Sequence, residues 1–89
     1  MLDTPLELDP QVVLRPEPFG ALAYHHRTRR LVFMKHRDVV AVARELGRQP
    51  SLGAALRACN VAESRWPSFT EAFASLSKSE IVRERRIAG

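Results

Sequence analysis

The sequence predicts an α+β domain, winged helix-turn-helix-like, in which a three-stranded antiparallel sheet precedes three helices. Three observations carry this expectation. Short runs rich in β-branched and aromatic residues fill the chain as far as Met34. From Val39 onward the apolar residues fall instead three and four apart, the spacing of a helix face. The two patterns do not interleave, and segregated strands and helices point to α+β rather than α/β.

Residues 1–10 are polar and interrupted by Pro5 and Pro10, so they are expected as a flexible N-terminal arm ahead of a domain spanning 11–86. Gln11-Val12-Val13-Leu14 forms the first strand. Proline cannot donate to a sheet ladder, so Arg15-Pro16-Glu17-Pro18 is expected as a bend rather than strand interior. Gly20 to His26 supplies the second strand, and His26-Arg27-Thr28-Arg29 the turn of a hairpin. That turn lacks Asn-Gly or Asp-Gly, so the hairpin rests on its flanks. Arg30 to Met34 is the third strand.

Val39, Val42, Ala43 and Leu46 then define a first helix, with Asp38 near its start and Gly47 closing it. Ser51 suits the N-cap of a second helix that presents Leu52, Ala55, Leu56 and Cys59 on one face. Asn60 tolerates the left-handed conformation that would end it. The third helix carries Phe69, Ala72, Phe73 and Leu76, and begins either at Pro67 or a turn earlier near Glu63. The tail from Ser79 to Gly89 is charged, with Ile81 and Val82 able to pack back.

At 89 residues the chain has room for one domain with a modest core. No apolar run is long enough to span a membrane. The N-terminus lacks the basic and hydrophobic regions of a secretory signal, and the single cysteine, Cys59, excludes an internal disulfide. A cytoplasmic protein is the expectation. Fourteen Lys and Arg against ten Asp and Glu give a net charge of +4, which favours acidic partners.

No active site is expected. His25 and His26 are adjacent and point to opposite faces of a strand, so they cannot easily share a metal ion, and surface or hairpin histidines are the simpler reading. Cys59 lies on an apolar stripe at a helix C-terminus, where nothing activates a thiol. Neither a phosphate loop nor paired catalytic carboxylates occur, so no catalytic residue, metal site or cofactor is assigned.

The turn at Asn60-Val61 between two amphipathic helices suggests a winged helix-turn-helix, and with it a DNA-binding regulator as the alternative function. The helix that would enter the groove offers one arginine, two glutamates, a proline and two large aromatics between Glu63 and Glu71, a poor set for base edges. A strand addition site fits the residues better. The third strand is apolar, flanked by arginines and unpaired on one side, so an extended peptide can join it through main-chain hydrogen bonds. On that reading a proline at Val32 should remove an edge donor. The same open edge makes a homodimer conceivable, and a role as a scaffolding subunit of a larger enzyme is a third alternative.

The run Arg15-Pro16-Glu17-Pro18-Phe19-Gly20-Ala21-Leu22-Ala23-Tyr24-His25, followed by Thr28-Arg29-Arg30-Leu31, resembles the small peptide chaperones of mycofactocin biosynthesis. They are peptide-recognition elements of ribosomally made, post-translationally modified peptides and are similar in fold to the pyrroloquinoline quinone peptide chaperone. The resemblance extends over about residues 11–86; its specific part is the Arg15–Ala21 run, and the helical half is generic. It implies a module without catalysis of its own that binds the leader of a precursor peptide as an added strand. The module then presents that peptide to a radical S-adenosylmethionine maturase, which holds the iron-sulfur clusters. Carried onto this chain, the edge is Arg30, Leu31, Val32, Phe33 and Met34, and the helix wall is Arg65, Trp66, Phe69, Thr70 and Phe73. Arg27, Arg29 and Arg30 are expected near acidic leader side chains. Pro67 and Asn60 depart from the simplest family pattern.

Overall fold

The computed structural model describes residues 1–86. Its elements run β1 (Leu6–Leu8), β2 (Val12–Glu17), β3 (Gly20–His25), β4 (Leu31–Met34), α1 (Arg37–Glu45), α2 (Leu52–Ala58), α3 (Trp66–Lys78) and β5 (Val82–Glu84). Single 3₁₀ turns at Leu46–Arg48 and Glu63–Arg65 join the helices. The expected three-stranded antiparallel sheet is present in the order β2-β3-β4, followed by three helices.

A second sheet was not expected. β1 pairs antiparallel with β5, matching Leu6 to Glu84 and Leu8 to Val82. Residues 1–10 are therefore not a loose arm. Leu6 is buried in the core, and the Arg83 guanidinium donates to Glu7 at 2.7 Å across the ladder. The carbonyls of Thr4 and Leu2 accept the first amides of α2, Leu52 N–H at 3.0 Å and Gly53 N–H at 2.9 Å. Arg85 donates to the Leu46 and Gln49 carbonyls, at 3.2 and 2.9 Å, fastening the tail to the 3₁₀ turn after α1. Ile81 and Val82 are fully buried, so the tail does pack back. The arm escaped the sequence reading because its partner lies more than seventy residues away, beyond any local pattern.

Pro16 also corrects the reading of a bend. β2 continues through it to Glu17, with Pro16 opposite Ala21. His26 N–H donates to Gln11 O at 2.8 Å, and the antiparallel alternation from that bond puts Pro16 in a pair whose main-chain groups point away from β3. An edge strand loses nothing at such a position. Gly20, directly after the Pro18-Phe19 turn, is required by proximity: a Cβ there would stand 2.1 Å from the Met34 carbonyl oxygen.

The hairpin turn falls where expected, between His25 and Leu31, with Arg29 left-handed. His25 is completely buried rather than on the surface. Its Nδ1 accepts the amides of Arg27 and Thr28, both at 3.2 Å, and thereby shapes the turn. A ring nitrogen that accepts carries no proton, so Nε2–H is the protonated position; it faces the Asp9 carboxylate at 3.5 Å, too far for a good hydrogen bond. Burial pushes the Asp9 carboxyl up, but the Gln11 amide, His25 and Arg83 together hold it below the ordinary aspartate value.

The helices follow their local signals. Ser51 Oγ accepts Ala54 N–H at 3.1 Å as the N-cap of α2, and Asn60 ends that helix with φ 58°. Pro67 sits in the first turn of α3, behind the 3₁₀ turn that begins at Glu63, so both candidate starts have a structural counterpart. The core gathers Ala21, Ala23 and Met34 from the sheet with Val42, Leu46, Leu52, Leu56, Phe73 and Ile81. The helices thus cover one face of the β2-β3-β4 sheet and leave the other to solvent.

Candidate functional site

β4 lies at the edge of its sheet and, among the described residues, pairs only with β3. Its register matches Tyr24 to Leu31, Ala23 to Val32, Leu22 to Phe33 and Ala21 to Met34. His25 N–H donates to Arg30 O at 3.0 Å, which makes that pair a hydrogen-bonded one. The antiparallel alternation then assigns the main-chain groups of Val32 and Met34 to β3 and those of Leu31 and Phe33 to the open side. The 2.1 Å approach of the Met34 carbonyl to a Cβ on Gly20 agrees with this parity. Val32 is therefore not an edge donor, contrary to expectation; the free donors are Leu31 and Phe33. The sequence located the strand, but the parity depends on the hairpin turn.

Side chains divide the same way. Met34 is buried and Val32 half-buried against the helices, whereas Leu31 and Phe33 are 56% and 59% exposed on the outer face. Past β4 the chain runs through His36, Asp38 and Val39 to form one lip of a groove of about 570 Å³. Arg65, capping α3, and Ser68, Phe69, Glu71 and Ala72 on its first turns form the other lip. Phe69 is buried at its floor, and the Arg65 guanidinium lies 5.2 Å from the Phe69 ring centroid. Arg65 also crosses the groove to pair with Asp38. The hydrogen bond from Arg65 is the main reason the Asp38 carboxyl sits below the usual aspartate value, outweighing its partial burial.

The expected wall residues are only partly brought together. Arg65 and Phe69 line the groove. Trp66 turns away: its Nε1–H donates to Val61 O at 2.9 Å and its ring lies 5.4 Å from the Arg57 guanidinium carbon. Thr70 is half-buried and spends its hydroxyl on Pro67 O at 2.8 Å. Phe73 is fully buried and offers no surface to a guest. Among the arginines of the turn, Arg29 and Arg30 are exposed beside the start of β4, while Arg27 reaches Glu80 at 3.2 Å after α3. Asp38, His36 and Glu71 were not singled out as groove residues, because they join only when the start of α1 is brought opposite the first turns of α3.

Burial raises the Cys59 thiol above its ordinary value and Glu45 adds to this, so the thiol is held protonated. Among the described residues, no three His, Cys, Asp or Glu side chains converge as a metal site would require. Among the described residues, no helix is long and apolar enough to cross a membrane.

A domain this small, open along one strand and grooved beside one helix, has the build of a polypeptide-binding module. Residues 5–83 match the Peptide chaperone MftB family, and the chain belongs to that family. Its relatives include the peptide chaperone MftB of Mycobacterium ulcerans, 43% identical over 84% of this chain and 69% of that protein. The namesake of Mycobacterium tuberculosis is 39% identical over 89% of this chain and 72% of its own length. That of Mycolicibacterium smegmatis is 41% identical over 90% and 78%. The resemblance drawn from the Arg15–His25 run is thus to the right family. No solved structure matches the chain.

Proposed function

We propose that this chain is a non-catalytic peptide chaperone of mycofactocin biosynthesis, acting in the cytoplasm. It takes the leader of a ribosomally made precursor as an additional strand along β4 and presents the rest of that peptide to a radical S-adenosylmethionine maturase. The observation that carries the proposal is the edge of β4, which among the described residues has no partner beyond β3, in a member of the Peptide chaperone MftB family.

The chemistry of the edge suits an extended guest. The main-chain groups of Leu31 and Phe33 would bond to it, alternate guest side chains would meet the outer face, and the others would turn toward the groove floored by Phe69. Arg29 and Arg30 at one end and Arg65 at the other favour a guest with carboxylates. An acidic leader side chain can take the place of Asp38 on Arg65, so part of the recognition is an exchange of one exposed ion pair for another. No rearrangement of the N-terminal residues is needed, because β1 is held by β5 and not by β4.

Titration of the chain with the leader peptide, followed by calorimetry or fluorescence anisotropy, tests this. Sub-micromolar affinity, on the order of −8 kcal/mol or tighter, is the expected result. Absence of heat and of any anisotropy change at tens of micromolar would refute it.

A further inference from the structure

An antiparallel sheet with helices on one side ordinarily turns polar side chains to solvent on the other. The β2-β3-β4 sheet does not. Reading across the strands, one outer row is Val13, Tyr24 and Leu31 and the next is Arg15, Leu22 and Phe33. Val13 is 54% exposed, and the Phe19 ring, 41% exposed, packs 6.0 Å from that of Phe33. A contiguous apolar face of this kind marks an interaction site more often than a bare surface.

Its shape and charge narrow the occupant. A shallow depression of about 320 Å³ is lined by Val13, Arg15, Leu22, Tyr24, His26 and Leu31, and a smaller one beside it by Phe19, Phe33 and Lys35. Arg15 and Lys35 bring positive charge to these linings, and among the described residues no carboxylate contributes to either. The one acidic side chain that the register places on this face, Glu17, is held by Arg15 at 2.8 Å. With Glu17 counted against Arg15, the face keeps the charge of Lys35, which a second copy of the chain would set against its own likeness. A surface of opposite sign fits instead.

We infer that the outer face of this sheet is a second docking surface, separate from the β4 edge, that receives an apolar patch fringed with carboxylates on the modifying enzyme. The inference rests on the proposed chaperone role. A guest strand joins β4 in the plane of the sheet, so Val13 and Arg15, two strands away, stay uncovered while the leader is bound. The leader's outward side chains extend the same face past Leu31 and Phe33. Leader and enzyme therefore strengthen each other's binding by a common factor.

The test uses the full chain, the synthetic leader and the purified maturase, with Val13→Glu, Arg15→Glu and the double variant. Both positions are exposed and outside the leader site, so unchanged circular dichroism and leader affinity within twofold of wild type are expected. Enzyme affinity should fall at least tenfold for each single variant and further for the double. Saturating leader should raise wild-type enzyme affinity several-fold. Enzyme affinity within threefold of wild type for the double variant, with leader binding intact, would overturn this inference alone. Parallel loss of leader affinity would show that the leader itself covers the face, and a wild-type dimer in sedimentation that Val13→Glu dissociates would show that a second copy does; either overturns the inference. Failure of the wild-type chain to bind leader at all would remove the chaperone reading and this inference with it.

Discussion

Replacing Phe33 by proline separates the main chain of β4 from everything else the strand does. The Phe33 N–H points away from β3, so its loss leaves the native ladder intact. Proline is tolerated at such an edge position, as Pro16 already is on the opposite edge of the sheet. The side chain is removed too, and Phe33→Ala is the reference that isolates this part. A net main-chain hydrogen bond is worth about 0.5–1.5 kcal/mol, and leaving the guest carbonyl unsatisfied against the proline ring raises the loss to about 1–3 kcal/mol. The proline variant should therefore bind leader roughly 2 kcal/mol more weakly than the alanine variant, on the order of thirtyfold in Kd. Thermal unfolding should differ between the two by less than about 1 kcal/mol. Val32→Pro is the opposite control. It removes a bond to Ala23, which is fully buried at the sheet centre, and should cost roughly 1–3 kcal/mol of stability. Anisotropy with labelled leader and denaturant melts provide both readouts. Equal affinity of Phe33→Pro and Phe33→Ala for the leader would refute strand addition on this edge. A Val32→Pro protein of native stability that fails to bind would reverse the assigned parity.

Asp38→Asn leaves Arg65 free for an acidic guest, and an exposed pair of this kind is worth about 0.2–1 kcal/mol, so leader affinity should rise up to about fivefold at low salt; unchanged or weaker binding would exclude the exchange. Leu6→Ala should lower stability by about 2–5 kcal/mol in urea titrations, because Leu6 is a core residue; a neutral effect would restore the picture of a loose arm. Asp9 and Asp38 both ionise more readily when folded than unfolded, so their contribution is complete above the unfolded aspartate pKa, near 3.9, and is lost as pH falls through the lower folded values. Asp9→Asn should accordingly flatten the acid limb of the stability profile below about pH 4, and an unaltered acid limb would contradict the role given to the His25 and Gln11 contacts.

Features written in a few adjacent residues were legible in the sequence. Ser51 and Asn60 announce the two ends of α2, the strand-like flanks of His26–Arg29 announce the hairpin, and the edge strand was placed to within one residue. What depends on distant partners was not legible. Leu6 and Val82 give no sign that they meet, and three-residue strands carry too little periodicity to be seen. Pro16 misled because its permission to remain in a strand depends on which way its missing N–H would point, a matter of register rather than composition. Within the candidate site, helical spacing identified the apolar stripe of α3 but not its depth. Phe69 and Phe73 lie one turn apart, yet Phe69 floors a groove and Phe73 is sealed inside. Trp66 was drawn off by an indole hydrogen bond that no spacing rule anticipates.

The pairing of β1 with β5 gives this molecule a particular dependence on its own synthesis. Leu6 leaves the ribosome more than seventy residues before Val82 and Glu84, and β1 has no strand partner until they have followed it. A product broken off anywhere before that point keeps β1 unpaired and leaves Arg83 absent from its place opposite Glu7. Fragments of this chain should thus be conspicuous to proteases and chaperones, while the finished product closes like a clasp.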